Sequence, residues 1–165
     1  MPGVDQRVNR VLRTALLATT IAGGTSLPST LAADCAGPGQ VVKLNSIIRG
    51  VIGNLKEKEE LAVRTEAEWK ALWIKLGLPL RPAVAAPAVD FSKDMVLGVS
   101  AGEGRGVVEL EITKVERKTG CVLVTVTERA VPPKMSPAQF VAFHPFHFVR
   151  VSAAPGTVVF TFARR

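Results

Sequence analysis

The stretch VVELEITKVERKTGCVLVTVTER, residues 107–129, decides the fold of this chain. Apolar and polar residues alternate along 107–117 and again along 121–129, which is the period of a strand with one buried face. The apolar positions that share one face are Val108, Leu110, Ile112, Val122, Val124 and Val126. The tripeptide KTG between the two runs is typical of a turn. The pattern therefore predicts an antiparallel β-hairpin.

Runs rich in β-branched and aromatic residues on both sides of the hairpin predict further strands. These runs cover 40–50, 61–64, 95–100, 146–151 and 157–162. Together with the hairpin, they favour an antiparallel sheet of five to six strands.

One helix is predicted over residues 66–76. Thr65 and Glu68 form the S/T-x-x-E pattern of a capping box, in which each side chain binds the backbone N–H of the other residue. Apolar residues then recur at helical spacing, at Trp69, Leu72, Trp73 and Leu76. Gly77 and Pro79 follow and favour a stop. We expect the two tryptophans to pack in the core rather than line a ligand groove.

Length and composition bound the architecture. The chain has 165 residues, of which 47% are hydrophobic, so it can bury a core of ordinary size. Aromatic residues make up only 5%, so the core should be mainly aliphatic. We therefore predict an α+β fold in one domain, residues 34–165, with the antiparallel sheet and one packed amphipathic helix.

Residues 1–33 have the pattern of a secretory signal peptide. Arg7, Arg10 and Arg13 precede the short apolar run TALLATTIAGG, and small residues lead to a cleavage point after Ala33. The apolar run is shorter than a membrane-spanning helix requires. We expect the mature protein to be periplasmic or secreted, with no stable membrane insertion. Lipid attachment is disfavoured because charged Asp34, rather than a small residue, precedes the first cysteine.

The charge pattern disfavours a nucleic-acid partner. The formal net charge is +7, but part of it lies in the leader. In the rest of the chain, basic residues alternate with acidic ones, as in KEKEE and VERK. Neither a basic helix face nor an aromatic RNA-binding signature is visible.

Cys35 and Cys121 are the two cysteines of the chain. An oxidising compartment permits a disulfide between them. Two independent thiols are the alternative. A metal site that combines them with the histidines also stays open, although no close cysteine pair of zinc-site spacing is present.

His144 and His147 lie on either side of Pro145 in FHPFHF. Side chains three residues apart on a strand point to opposite faces, so these two would share a metal only if the chain bent sharply. We therefore expect structural histidines and predict no metal site and no cofactor. The chain also lacks a GxSxG elbow, so we predict no catalytic residues and no enzyme.

Two loops are candidates for recognition. GEGRG, 102–106, precedes a strand rather than a helix, so it does not match a phosphate-binding loop. Its glycines permit positive φ, and loops on a rigid sheet often carry binding residues. The second loop, AVPPKMSP, follows the hairpin. The candidate partner-binding residues are Gly102, Glu103, Gly104, Arg105, Gly106 and Lys134.

Five segments occur in an order that resembles the C-terminal domain of the protease complex subunit PrcB family. They are EAEWKALW, VDFSKDMVLGVSAGE, VVELEITKV, CVLVTVTERAVPP and HPFHFVRV, within residues 60–152. Members of that family usually carry a longer glycine loop with Thr-Gly-Gly-Tyr, where this chain has GEGRGVV. The resemblance implies an exported accessory component of a protease complex. It implies a binding or assembly role and no active site.

The function predicted from the sequence is an exported, non-catalytic protein-binding or assembly subunit. Its partner would be another exported protein, with a secreted protease as the candidate. Two alternatives stay open. One is a protease inhibitor that inserts the exposed loops into an active-site cleft. The other is a metal-binding or small-molecule-binding protein that uses His144 and His147.

Overall fold

The computed structural model describes residue 35 and residues 37–77, 85–104, 106–132 and 143–165. These residues form two β-sheets and one short α-helix, so the broad α+β class is confirmed. The predicted leader, 1–33, and its cleavage point lie outside the described residues.

The elements of the described part follow one another along the chain in the order β1 Gln40–Val41, β2 Asn45–Gly50, β3 Glu59–Val63, α1 Glu66–Leu76, β4 Asp94–Ser100, β5 Val107–Lys118, β6 Cys121–Ala130, β7 Phe146–Ser152 and β8 Thr157–Arg164. The predicted hairpin is confirmed as the antiparallel pair β5 and β6. Its turn contains Gly120 at φ 80°, a conformation that suits glycine.

The strands divide between two sheets. Sheet 1 has the order β1-β5-β6-β8, and sheet 2 has the order β2-β7-β4-β3. The prediction of one antiparallel sheet with five to six strands is therefore wrong. β8 is moreover parallel to β6, because the chain crosses from sheet 2 back to sheet 1 after β7. Alternation along a strand reports which face is buried, but it does not report which strands share a sheet.

The predicted strand 40–50 is two strands that belong to different sheets. Gln40 and Val41 pair with the far end of β5 in sheet 1, whereas Asn45–Gly50 pairs with β7 in sheet 2. Val42 and Leu44, between the two strands, pack partly against the core between the sheets. This segment therefore links the two sheets at their edges.

The main core lies between the two sheets and is aliphatic, as the composition predicts. The inward alternation of β5 and β6 is confirmed by burial of Val108, Leu110, Ile112, Val122, Val124 and Val126. Sheet 2 contributes Met95, Leu97, Val99, Val149 and Val151 to the same cluster. Burying side chains of this size stabilises the fold by roughly 1.5–3 kcal/mol for each one.

Helix α1 covers the other face of sheet 2. Its capping box is formed, and Gly77 ends the helix in the left-handed conformation at φ 53°, as predicted. Trp69 is only 2% exposed and packs edge-on against Phe148 of β7. Gly98 on β4 makes room for that phenylalanine, because a Cβ at Gly98 would lie 2.2 Å from the Phe148 ring. The tryptophan therefore belongs to a second core cluster.

Cys35 and Cys121 form a disulfide, so the predicted possible bridge is confirmed in the structure. It joins the chain before β1 to the first residue of β6, with a Cα–Cα distance of 5.6 Å. Disulfides persist in oxidising compartments, which indicates a location outside the cytoplasm. Among the residues that the structure describes, no helix has the length and apolar character needed to cross a bilayer.

Candidate functional site

Several connections meet at one end of the two sheets, which we call the loop end. It contains residues 51–53 after β2, residues 101–104 and Gly106 before β5, residues 131–132 after β6 and residues 143–145 before β7. Backbone hydrogen bonds hold these connections together: Ala101 donates to Pro145 at 3.0 Å, His144 to Val51 at 2.9 Å and Val131 to Gly106 at 2.9 Å. The two loops predicted for recognition therefore leave from the same end of the molecule.

The glycine loop has the backbone that its composition predicts. Gly102, Gly104 and Gly106 have φ values of 75°, 65° and 68°. Gly102 is also pressed against the chain before β3, since a Cβ there would lie 2.8 Å from the Lys56 carbonyl oxygen. The backbone N–H of Glu103 donates to the same oxygen at 2.9 Å. Gly102 and Glu103 are thus anchored, while Gly104 has open space around it.

The two basic residues predicted for partner contact lie outside the described residues. Arg105 falls between the described Gly104 and Gly106. Lys134 follows the described Pro132 by two positions. The structure therefore brings the described ends of both loops to the loop end, and the placement of these two side chains stays a prediction.

A cleft of about 370 Å³ opens beside the loop end, between β2 and β5. Its walls are Arg49, Gly50 and Val51 on one side and the segment Val108–Leu110 on the other, with Arg129 of β6 nearby. Val51 is 38% exposed, and Ile52, which follows it, is 61% exposed. The cleft therefore combines apolar surface with charged side chains, which is the usual composition of a binding site.

The outer edge of β5 forms one wall of this cleft. Near its far end the edge is covered, because Val42 donates to the Val115 carbonyl at 2.8 Å and β1 pairs with the residues that follow. In the middle, the Ile112 N–H donates to Nδ1 of His147 at 2.9 Å. Before Ile112, the edge borders the cleft. The residues of β5 that line the cleft with inward side chains, Val108 and Leu110, are themselves buried, at 6% and 1% exposure.

Arginine and glutamate side chains cross the cleft. Arg49 lies 3.0 Å from the Glu111 carboxylate and 3.9 Å from that of Glu109. Arg129 donates through Nε to Glu109 at 2.7 Å. This hydrogen bond and the Arg129 charge lower the pKa of Glu109. Exposed pairs of this kind contribute little to stability, roughly 0–1 kcal/mol each, so the cluster is available for other contacts.

Ser46 and His147 form a pair that superficially resembles a hydrolase dyad, with 2.9 Å between Ser46 Oγ and His147 Nε2. The Ile112 N–H donates to Nδ1, so Nδ1 carries no proton and the neutral ring is protonated at Nε2. The ring therefore donates to Ser46 and cannot accept its proton. Burial, followed by the nearby Arg49 charge, lowers the pKa of His147 to about 4. This arrangement holds a buried histidine in place and does not activate a serine.

His144 makes a separate contact. Its Nδ1 donates to the Gly53 carbonyl oxygen at 2.6 Å. The two histidine rings therefore bind different partners, His144 at the loop end and His147 between the sheets. Within the described ranges, no cluster of three His, Cys, Asp or Glu side chains with metal-site spacing occurs.

Sequence reasoning missed both the cleft and the Ser46–His147 pair. Each joins residues far apart in the chain, with a sequence separation of 101 between Ser46 and His147. The one available signal was the pair Glu109 and Glu111 on the outward face of a strand, which marks a charged strand edge or surface. Nothing in the sequence indicates that Arg49 is their partner.

Comparisons with known proteins add no relative. No protein-family model, no curated protein and no solved structure matches this chain. The resemblance to the PrcB family therefore rests on the order of the sequence segments alone.

Proposed function

We propose that this protein is an exported, non-catalytic binding subunit that holds a partner protein at the loop end. The observation that carries the proposal is that the described residues of the GEGRG loop and the start of the AVPPKMSP loop lie at one end of two packed sheets. Hydrogen bonds such as Val131 to Gly106 brace the described parts of these loops against each other. Rigid sheets that present neighbouring loops are a recurrent design for recognition.

The chemistry of the described residues supports binding rather than catalysis. In the Ser46–His147 pair, the histidine donates the hydrogen bond, so it is in the wrong protonation state to act as a base. The cleft supplies arginine donors and apolar surface, which are common features of protein-binding surfaces. The resemblance to the PrcB family adds a candidate for the partner, a protease exported by the same cell.

The direct test is partner capture with a variant of the two predicted contact residues. We expect Arg105→Ala combined with Lys134→Ala to reduce recovery of a crosslinked exported partner about tenfold, since about 1.4 kcal/mol of lost contact has that effect. The matched control removes Lys70 and Lys93, both more than half exposed, on helix α1 and in the turn before β4. The measurement is affinity capture from the protein's own cells followed by mass spectrometry.

Unchanged recovery by the Arg105 and Lys134 variant, with the fold intact by circular dichroism, would contradict the proposal. An equal loss in the control variant would also contradict it, because the effect would then follow total charge. If the recovered partner is a protease, an activity assay with the purified protein separates the two roles. Inhibition would favour the inhibitor alternative over an assembly subunit.

A further inference from the structure

We infer that this protein forms a symmetric dimer in which β8 of one copy pairs antiparallel with β8 of a second copy. The two copies of sheet 1 then join into one continuous sheet with four strands from each copy. The occupant of this edge is a second copy, because the edge of β8 complements itself in backbone groups, side chains and charge. The inference does not depend on the proposed function, which concerns the loop end.

The direction of the β8 backbone groups is the first step. β8 is the last strand of sheet 1, with β6 as its neighbour. The Thr157 N–H donates to the Gly120 carbonyl oxygen at 3.3 Å, and the Arg165 N–H donates to that of Glu128 at 2.9 Å. Because the register between these bonds is unbroken and residues alternate in direction, the odd-numbered residues bond to β6. The N–H and C=O groups of the even-numbered residues point away from β6, at Val158, Phe160, Phe162 and Arg164.

These outward groups lie at an open edge. Within the described residues, the backbone hydrogen bonds of β8 go to β6 and to the turn before it. Thr161 and Ala163 are exposed. Phe160 and Phe162 face the core and are still only partly buried. Lys58 lies 3.6 Å from the centroid of the Phe162 ring, which is a contact with the ring and not with the strand backbone.

The other edges of the two sheets carry features that discourage pairing with another chain. β1 has only two residues. β2 has an irregular register between Ser46 and Ile48, and β3 begins with Glu59 and Glu60. β8 is eight residues long and pairs with β6 in unbroken register, and its residues 157–163 include no charge and no proline. Such an unprotected edge leads to aggregation unless a native partner covers it.

An antiparallel copy of β8 matches this edge when Thr161 lies opposite Thr161 of the second copy. Phe160 then lies opposite Phe162 of the second copy, and Val158 lies opposite Arg164. All of these even-numbered residues face outward, so each pair exchanges two hydrogen bonds. The phenylalanines stay on the core face, where cross-strand aromatic pairs stabilise a sheet.

The charges of β8 also suit a two-fold arrangement. Arg164 and Arg165 are the charged residues of 157–165, and both lie at the C-terminal side of the strand. Antiparallel pairing places the arginines of the two copies at opposite ends of the strand pair, so they are far apart. A two-fold axis is also the commonest symmetry of soluble oligomers. Because β8 runs parallel to β6 towards the loop end, the two loop ends lie at opposite ends of the dimer.

A cysteine at the two-fold axis tests the pairing. Thr161→Cys should form a disulfide-linked dimer under mild oxidation, because opposite residues of a non-hydrogen-bonded pair have Cα atoms about 4.5 Å apart, within disulfide range. Ala163→Cys is the matched control on the same exposed face, since its two copies would lie about 14 Å apart along the strands. We expect at least about tenfold more covalent dimer from Thr161→Cys on non-reducing gels.

Self-association of the purified protein, with its native disulfide intact, is measured by analytical ultracentrifugation. We expect a concentration-dependent dimer that Val158→Pro weakens at least about tenfold, because proline removes one outward N–H from each copy. Edge strands tolerate proline where the N–H faces away from the sheet, so the fold should be kept, and circular dichroism checks this. Val158→Ala keeps the N–H and should dimerise like the wild type.

A protein that stays monomeric at every concentration measured would overturn the inference. Equal amounts of covalent dimer from Thr161→Cys and Ala163→Cys would also overturn it, because association would then not follow this register. Protection of the Phe160 and Phe162 amides from hydrogen exchange only after another exported protein is added would assign the edge to that protein and overturn the dimer. The capture experiment with the Arg105 and Lys134 variant judges the proposed function separately.

Discussion

His147 is a buried polar side chain that connects the two sheets. It is 3% exposed, it accepts from the Ile112 N–H in sheet 1 and it donates to Ser46 at the edge of sheet 2. A protonated ring would lose the acceptor at Nδ1 and leave the Ile112 N–H buried without a partner, which costs roughly 1–3 kcal/mol. The charged groups that face this ring are Arg49 of β2, which lowers its pKa, and Glu111 of β5, which raises it less.

The fold should therefore lose stability in mild acid. The folded pKa of His147 is about 4, below the ordinary 6.5, so the unfolded chain binds more protons between these values. The stabilisation is present above pH 6.5 and is lost as the pH falls towards 4, by about 3 kcal/mol in total. Urea unfolding at several pH values measures it. His147→Asn, whose amide oxygen can replace Nδ1 as acceptor, should flatten this dependence.

The control for that prediction is His144→Gln, which changes the other histidine and should keep the acid sensitivity. Equal pH dependence in the wild type and His147→Asn between pH 6.5 and 4.5 would contradict the assigned role. Glu109 and Asp90 also have lowered pKa values, so the stability that they contribute is lost only at lower pH. Both carboxylates are present in the wild type and in His147→Asn, so they do not affect the difference between these two proteins.

Helix α1 is the element that local sequence predicted best. Its bounds, its capping box and its stop at Gly77 agree with the prediction. Of the predicted apolar stripe, Trp69, Leu72 and Leu76 are buried, whereas Trp73 is only partly buried against the same cluster. Each of these signals depends on contacts within four residues, so the sequence contains the information. The hairpin of β5 and β6 was predicted for the same reason, since a short turn fixes which strands pair.

Thr65 should stabilise this helix measurably. Its Oγ1 accepts from the Glu68 N–H at 3.3 Å, and the Glu68 carboxylate accepts from the Thr65 N–H at 3.1 Å. Thr65→Ala removes the first bond and should lower the free energy of unfolding by about 1 kcal/mol. Thr65→Ser keeps the oxygen and should stay close to the wild type. Equal stability of the alanine and serine variants in urea unfolding would show that the cap contributes nothing.

The pairing of distant strands could not be predicted. The division of 40–50 into β1 and β2 depends on partners more than 70 positions away, Arg117 for Gln40 and Arg150 for Asn45. The parallel pairing of β8 with β6 depends on a crossover between sheets. These contacts are set by burial of both sheet faces across the whole chain, and no local pattern reports them.

At the level of the whole molecule, the candidate site exists because two sheets are offset at one edge. β1 pairs only with the far end of β5, and β2 belongs to the other sheet, so a cleft opens between β2 and the first residues of β5. Composition predicted recognition loops at GEGRG and AVPPKMSP, and their role in binding stays a prediction. It could not predict the cleft, because Arg49 and Glu111 meet only after both sheets have formed.

Affinity capture of a crosslinked exported partner tests the central claim most directly. The account predicts that the variant with Arg105→Ala and Lys134→Ala recovers about tenfold less partner than the wild type, whereas the control variant that removes Lys70 and Lys93 recovers as much as the wild type. Equal recovery by the wild type and the Arg105 and Lys134 variant would contradict a partner-binding role of the loop end.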